Sequence, residues 1–267
     1  MTDTIQITNG TIQYSIRGDG PPLILLTTIA GTWTAQLPLS KHFTVLKYDL
    51  RGFGGSTSDR GFPTNEEHAD DLAEILDKLQ MPQAHLIGLS QGGMISQYFA
   101  LRHPDRLLRL GLVATHAKAK DSTLLFLRML LGFLERDDLA NFWEVLKAFL
   151  FSAQNAETVL RREEALKHAV MTRYTAKSLR NIYEQVMVHD STGWLNKISC
   201  PTLVIAGQDD LLYGPPIATE ISKRIPGARL ELLPAAHVPP VETPVLFNNL
   251  VVEFFGTPAS SAQTRAA

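Results

Sequence analysis

The chain of 267 residues contains a single cysteine, Cys200. No internal disulfide can therefore form. Because Cys200 stands before Pro201 at the start of an apolar run, we interpret its thiol as a small buried hydrophobe. No apolar run reaches the length of a membrane span, and the polar N-terminus lacks the apolar region of a signal peptide. These absences favour a soluble protein of the cytoplasm.

A strong charge of one sign is also lacking. The formal net charge is −2, and the sequence has no basic cluster, so nucleic acid and anionic membranes are not expected partners. The length fits one large α/β domain with an insertion, or two small domains. We therefore expect the partner to be a small-molecule substrate, and the sequence leaves the oligomeric state open.

The most informative segment is G-x-S-x-G at residues 88–92, with Ser90 at its centre. The bare pattern also occurs as an ordinary tight turn. Here, however, the apolar run Ala84–Gly88 precedes it, and apolar residues at helical spacing follow it over Met94–Arg102. A strand, a turn and a helix in this order predict a nucleophile elbow, the strained turn that presents a reactive serine.

Short apolar runs alternate with helical patterns over most of the chain. Thr64 and Glu67 form a predicted capping box for one helix, and Thr243 with Pro244 is expected to begin the last helix. Residues from about 116 to 198 show helical periodicity and no good strand. We predict an α/β fold with a mostly parallel sheet flanked by helices. Its core is expected at 1–115 and 199–256, an inserted helical cap at 116–198, and a disordered tail at 257–267.

Three further motifs extend the pattern over nearly the whole chain. They are Asp49-x-Arg51-Gly52-x-Gly54-x-Ser56, the strand segment from Pro201 through Gly207 to Asp210, and Leu233-Pro234-x-x-His237. With the elbow and the cap, they resemble the α/β-hydrolase superfamily, in particular its esterases, enol-lactone hydrolases and haloperoxidase-like members. The resemblance implies the α/β-hydrolase fold and the catalytic order Ser, Asp, His.

By this resemblance Ser90 is the nucleophile, His237 the base and Asp210 the acid that orients the base. Asp209 is the competing acid, but Asp210 has the family's spacing from Gly207. The alternative hypothesis is a metal site at the two aspartates, but the sequence offers no His or Cys ligands near them. Among the remaining histidines, His116 could line the pocket, whereas four are expected to be solvated: His68, His103, His168 and His189.

The resemblance also implies an oxyanion hole made by the backbone N–H groups of Gln91 and Ile29. The family usually has His-Gly where this chain has Thr27-Thr28. A β-branched residue in place of glycine restricts the backbone, and the Thr28 hydroxyl could add a donor to the site. We expect no metal and no organic cofactor.

Two apolar runs in the predicted cap, residues 123–133 and 141–151, indicate the kind of substrate. Packing of the cap explains most of these side chains, and some should face the pocket. Thr28, Trp143 and Val238 are candidate substrate-binding residues, and an apolar acyl or aromatic substrate fits best. The predicted function is hydrolysis of a small to medium carboxylic ester or lactone through an acyl-enzyme on Ser90. C–C bond hydrolysis, lyase, perhydrolase or acyl-transfer chemistry stays open, as does a small-molecule receptor.

Overall fold

The computed structural model describes residues 2–28 and 33–256 of the chain. The predicted tail at 257–267 lies outside the described residues. In the part of the chain that is described, none of the helices combines the length and the hydrophobicity that a membrane crossing requires.

An eight-stranded sheet forms the centre of the described chain. The strands are β1 (Asp3–Ile7), β2 (Gly10–Arg17), β3 (Pro22–Leu26), β4 (Thr44–Tyr48), β5 (Ala84–Leu89), β6 (Leu107–Val113), β7 (Thr202–Gly207) and β8 (Arg229–Leu233). Their order is β1-β2-β4-β3-β5-β6-β7-β8. The pairs β1–β2 and β2–β4 are antiparallel, and the other pairs are parallel. The predicted mostly parallel sheet is confirmed.

Helices flank this sheet. They are α1 (Asn65–Lys78), α2 (Gln91–Arg102), α3 (Asp121–Leu134), α4 (Leu139–Leu150), α5 (Ala156–Arg173), α6 (Ala176–Val188), α7 (Pro215–Arg224), α8 (Pro239–Glu242) and α9 (Pro244–Phe255). Every residue of β5 and of β7 is buried, as is typical of parallel strands covered on both faces. Helices α3–α6 follow one another between β6 and β7. The domain boundaries at 115 and 198 stay a prediction.

The two predicted helix starts differ in how they are capped. The capping box before α1 is confirmed: the Thr64 hydroxyl accepts the Glu67 N–H at 3.2 Å, and the Glu67 carboxylate accepts the Thr64 N–H at 2.7 Å. Thr243 and Pro244 do begin α9, but the Thr243 side chain caps no N–H group. Its hydroxyl donates instead to the carbonyl of Pro239 at 3.1 Å, because α8 ends immediately before it.

The expectation that His68 and His189 are solvated is wrong. Their residues are 1 % and 2 % exposed. Packing against distant elements, which local polarity does not report, buries both rings. Cys200 is less buried than predicted, because its side chain is only partly covered. This partial burial still raises the pKa of its thiol to about 11.

His116 is also buried, with its ring centroid 4.7 Å from that of Tyr213 and 5.7 Å from that of His189. Loss of hydration penalises the charged imidazolium. Burial therefore lowers the pKa of His116 to about 3, with the neighbouring His189 adding to the effect. Burial likewise lowers the pKa of His189 to about 4. Both rings are neutral in the folded protein near pH 7.

We expect the free energy of unfolding to decrease as the pH falls from 6.5 towards 4. In that pH range His116 and His189 bind protons in the unfolded chain and stay neutral in the folded protein. The unfolded state therefore gains protons as the pH falls, and the free energy of unfolding is highest above pH 6.5 and decreases below it. Replacing His189 with Gln should reduce this loss by about 1–3 kcal/mol. Urea unfolding at pH 7.5 and pH 4.5, followed by tryptophan fluorescence, measures the difference. The matched control is H42Q at an exposed ring. An H189Q protein as acid-sensitive as the wild type would contradict the expectation.

Candidate active site

Ser90 lies in the turn between β5 and α2, at the carboxyl edge of the sheet. Its backbone has φ 56° and ψ −119°, a conformation that L-residues rarely adopt and that is enriched at active sites. Gly92 makes this turn possible, because a Cβ atom there would lie less than 3.0 Å from the carbonyl oxygen of Leu26. The predicted strand, turn and helix around Ser90 are confirmed by the positions of β5 and α2.

Hydrogen bonds to the neighbouring strand hold the turn in place. The Ser90 N–H donates to the carbonyl of Val113 at 2.9 Å. The Ser90 carbonyl accepts the Thr115 hydroxyl at 2.8 Å and the Gly93 N–H at 2.9 Å. Both backbone groups of the strained residue are therefore satisfied, which stabilises a conformation that would otherwise be unfavourable.

The fold brings Ser90, Asp210 and His237 together from three segments. His237 Nε2 lies 3.1 Å from Ser90 Oγ, and His237 Nδ1 lies 3.1 Å from Asp210 Oδ2. Asp210 follows β7, and His237 lies between β8 and α8. Asp210 and His237 are 6 % and 4 % exposed. The imidazole is thus placed to take a proton from the Ser90 hydroxyl while the carboxylate fixes its tautomer.

Asp210 is further held by the loop in which it lies. Its other oxygen, Oδ1, accepts the N–H groups of Leu212 at 2.8 Å and Tyr213 at 3.1 Å. The competing Asp209 is exposed, and its Oδ2 accepts the side-chain amide of Gln154 at 2.6 Å. The two adjacent carboxylates therefore have different partners, and only Asp210 reaches His237 in this structure.

The end of β7, which leads to Asp210, crosses the segment just before His237 at Gly207. A Cβ atom on Gly207 would lie less than 3.0 Å from the carbonyl oxygens of Ala235 and Ala236. This crossing requires glycine, because backbone atoms cannot move aside as a flexible side chain can. It sets how closely the segment of Asp210 approaches the segment of His237.

Gln91 begins α2, so its backbone N–H belongs to the group of N-terminal amides without a partner inside the helix. That position is favourable for a developing negative charge next to Ser90. The other predicted donor, Ile29, lies outside the described residues. Both assignments to an oxyanion hole stay predictions.

The Gln91 side chain forms a buried chain of hydrogen bonds that the sequence did not predict. Its Oε1 accepts the Thr28 hydroxyl at 2.8 Å, and its Nε2 donates to Asn65 Oδ1 at 2.9 Å. The carbonyl of Thr28 accepts the hydroxyl of Tyr174. The idea that the Thr28 hydroxyl adds a donor to the site is therefore not supported, since its proton is directed at Gln91. Asn65 and Tyr174 carried no local signal, because each is far from Thr28 in sequence.

A cavity of about 70 Å³ lies over Ser90 and His237. The three predicted substrate-binding residues, Thr28, Trp143 and Val238, are among the residues that line it. The other lining residues, mostly apolar, come from the core and from α3–α6: Thr27, Leu89, Gln91, Phe126, Leu127, Leu146, Leu150, Leu166, Ile182, Tyr183, Val186, Leu212 and Tyr213. His237 is the one titratable nitrogen base among the described lining residues. His116 does not join it there, because its ring packs behind Tyr213.

A metal site finds no support among the described residues. Within 2–28 and 33–256, no group of three or more His, Cys, Asp and Glu side chains converges on a common point. The two adjacent aspartates, which raised that reading, are directed at different partners. The chemistry that the described geometry can support is nucleophilic attack by Ser90 with His237 as the base.

Known proteins share both the sequence pattern and the fold. A family model described as alpha/beta hydrolase fold matches residues 21–244. The chain is 31% identical over 255 residues to the RutD protein of Azorhizobium caulinodans, to which carbamate hydrolysis is provisionally assigned; the match covers 92% of this chain and 95% of that protein. The crystal structure of the enol-lactonase from Burkholderia xenovorans LB400 superimposes with a TM-score of 0.87 at 27% identity, covering 96% of this chain and 100% of that one. The structure of a thermophilic esterase from Thermogutta terrifontis superimposes with a TM-score of 0.85 at 27% identity, covering 95% of this chain and 98% of that one.

Replacing Gly207 with Ala should lower the free energy of unfolding by more than about 3 kcal/mol, because the added methyl group would collide with two backbone carbonyls. Thermal unfolding followed by circular dichroism measures the change. Gly193→Ala is the matched control, since a Cβ atom there meets nothing within 4 Å. A G207A protein as stable as G193A would refute the close crossing of the two segments.

Proposed function

The chain belongs to the α/β-hydrolase family, and on that premise we propose that it is a serine hydrolase of carboxylic esters or lactones. The observation that carries the proposal is the pair of 3.1 Å contacts that His237 makes with Ser90 and Asp210. A serine hydroxyl is a weak nucleophile near pH 7, and a histidine in hydrogen-bond contact is the usual base that activates it. This hydrolase uses three side chains and water, with no cofactor.

The reaction proceeds in two stages. Ser90 Oγ attacks the carbonyl carbon while His237 Nε2 takes the hydroxyl proton, and the ring then gives that proton to the leaving alcohol. Asp210 keeps Nδ1–H of His237 in place and stabilises the imidazolium. Water next attacks the acyl-enzyme, with His237 again as the base. The acid is released, and Ser90 recovers its proton.

Negative charge that develops on the carbonyl oxygen needs donors that are already oriented. We assign this role to the backbone N–H groups of Gln91 and Ile29. Loss of one such donor costs roughly 3 kcal/mol of transition-state stabilisation. The Gln91 side chain is held in place by Thr28, which donates to its oxygen, and by Asn65, which accepts from its nitrogen.

The composition of the cavity favours a small to medium, largely apolar acyl group. Its described lining is mostly aliphatic and aromatic, so an apolar acyl chain gains from leaving water. A substrate with a charge at this position would lose its hydration without a described side chain of opposite charge to replace it. Relatives named as an enol-lactonase and an esterase agree with a cyclic or open ester.

A carbamate is the second candidate substrate, because the RutD relative is provisionally assigned to carbamate hydrolysis. Attack at a carbamate carbonyl would use the same three residues and the same donors. A carbamate ester would release its alcohol, which His237 would protonate, and the difference is that a carbamoyl group rather than an acyl group would remain on Ser90. Parallel assays on esters, lactones and carbamates of equal acyl size separate the two candidates.

We expect Ser90→Ala and Asp210→Asn to lose most of the hydrolysis of p-nitrophenyl butyrate. The first removes the nucleophile, and the second leaves His237 in the wrong tautomer, for which a loss of about 10⁴ in kcat is known in a serine protease. Asp209→Asn is the matched control, since its carboxylate bonds Gln154 on the protein surface, and it should retain wild-type kcat. Release of p-nitrophenol measures all three. Turnover that survives S90A, or equal losses in D209N and D210N, would refute the proposed roles.

The length of the preferred acyl chain should depend on Trp143. Trp143→Phe shortens a fully buried side chain in the cavity wall, and room for one more methylene is worth about 0.8 kcal/mol, or roughly fourfold in kcat/KM. The ratio of octanoate to acetate hydrolysis should therefore rise at least fourfold. Trp194→Phe, at a ring packed on Tyr98 at 5.2 Å, is the control that should leave the ratio unchanged. An unchanged ratio in W143F would exclude Trp143 from the acyl pocket.

A further inference from the structure

The segment that joins α4 to α5 contacts the loops of both Asp210 and His237. We call residues 150–155 the connector and residues 234–238 the histidine loop. The Leu150 carbonyl accepts the His237 N–H at 3.1 Å, and the Asn155 side-chain amide donates to the Pro234 carbonyl at 2.8 Å. Gln154 adds the 2.6 Å bond to Asp209, next to Asp210. The connector therefore forms hydrogen bonds with the histidine loop and with the segment that contains Asp210.

A buried carboxylate, Glu242, completes this arrangement from the end of α8. Its Oε2 accepts the N–H of Ser152 at 2.8 Å, the hydroxyl of Ser152 at 2.6 Å and the side-chain amide of Asn155 at 3.2 Å. Its Oε1 accepts the N–H of Ala236 at 2.8 Å. One side chain that is 3 % exposed thus bonds the connector with one oxygen and the histidine loop with the other.

These bonds fix two consecutive backbone amides. The N–H of Ala236 donates to Glu242, and the N–H of His237 donates to the connector. Hydrogen bonds to a charged acceptor are shorter and stronger than neutral ones, and a buried carboxylate that lost its donors would pay a large cost. The backbone that carries the His237 ring is therefore held from the side of α4 and α5 as well as from the sheet.

We propose that Glu242 is a positioning residue for His237, and that it joins the connector and the histidine loop into one unit. The inference rests on the proposed function, because it assigns importance to the distance between His237 Nε2 and Ser90 Oγ. A displacement of about 1 Å in a catalytic group can cost a hundredfold in rate. Movement of the connector would be transmitted to His237 through Glu242.

Glu242→Gln is the sharpest test, because it keeps the size of the side chain. Each carboxylate oxygen faces a backbone N–H, one of Ser152 and one of Ala236. Whichever way the amide turns, its NH₂ group meets at least one N–H donor, so at least one hydrogen bond is lost. We expect kcat to fall about ten- to a hundredfold with KM changed less than about threefold. The rate at which a fluorophosphonate labels Ser90 should fall by the same factor, and this rate does not depend on knowing the substrate.

Hydrogen exchange supplies a readout that is independent of activity. In E242Q the amides of residues 150–155 and of 234–238 should exchange faster together, by about tenfold or more. Asp71→Asn is the matched control, since Asp71 is a buried carboxylate on α1 that accepts from Arg51 at 2.8 Å, away from the connector. It should lower the stability of the fold and leave kcat, the labelling rate and the exchange of both segments unchanged.

Ser152→Ala keeps the test open if E242Q does not fold. It removes one of the four donors, and we expect a smaller fall in kcat, about two- to fivefold. Wild-type kcat and labelling in E242Q, or in S152A where E242Q is unfolded, would overturn the proposal. Equal losses in D71N would also overturn it, because they would reflect stability alone. A wild-type protein that the probe does not label would overturn the proposed function, and this inference with it.

Discussion

The ring of His237 has to satisfy two hydrogen bonds at once, and the rest of the structure depends on that requirement. One nitrogen lies 3.1 Å from Ser90 Oγ and the other lies 3.1 Å from Asp210 Oδ2. The three residues follow β5, β7 and β8, whose carboxyl ends meet at one edge of the parallel sheet. A shift in the register of any of these strands would break at least one bond. Gly92 and Gly207 permit the close backbone contacts that the geometry requires.

The cavity above this edge shields the three side chains from water. Asp210 and His237 are almost wholly buried, and the walls around Ser90 are mostly apolar. Electrostatic interactions are stronger where water is excluded. Asp210, whose carboxylate makes three described hydrogen bonds, is therefore well placed to orient the imidazole of His237. The same exclusion of water favours an apolar acyl group, so the proposed catalysis and the proposed substrate preference depend on one property of the cavity.

Local sequence patterns predicted the elements and missed the contacts between distant segments. The turn around Ser90, the capping box at Thr64 and the parallel sheet each have a signature within a few residues. The burial of His68 and His189 has no such signature, because it depends on which helix packs against which. The bonds of Glu242 to Ser152 and Ala236 join segments separated by up to 90 residues. Such contacts follow from the fold as a whole, so a single sequence does not reveal them.

Thr28 shows how one departure from the family pattern is accommodated. The usual glycine offers the loop after β3 a free backbone and no side chain. Threonine restricts that backbone, but its hydroxyl gains a bond to Gln91, which Asn65 holds from the other side. Tyr174 then binds the carbonyl of the same residue. Three side chains thus fix this position, and of these bonds the one from the Thr28 hydroxyl to Gln91 is the one that a glycine could not make. Because Gln91 follows Ser90 directly, Thr28 and the turn at Ser90 are held in a fixed relation by these side-chain hydrogen bonds.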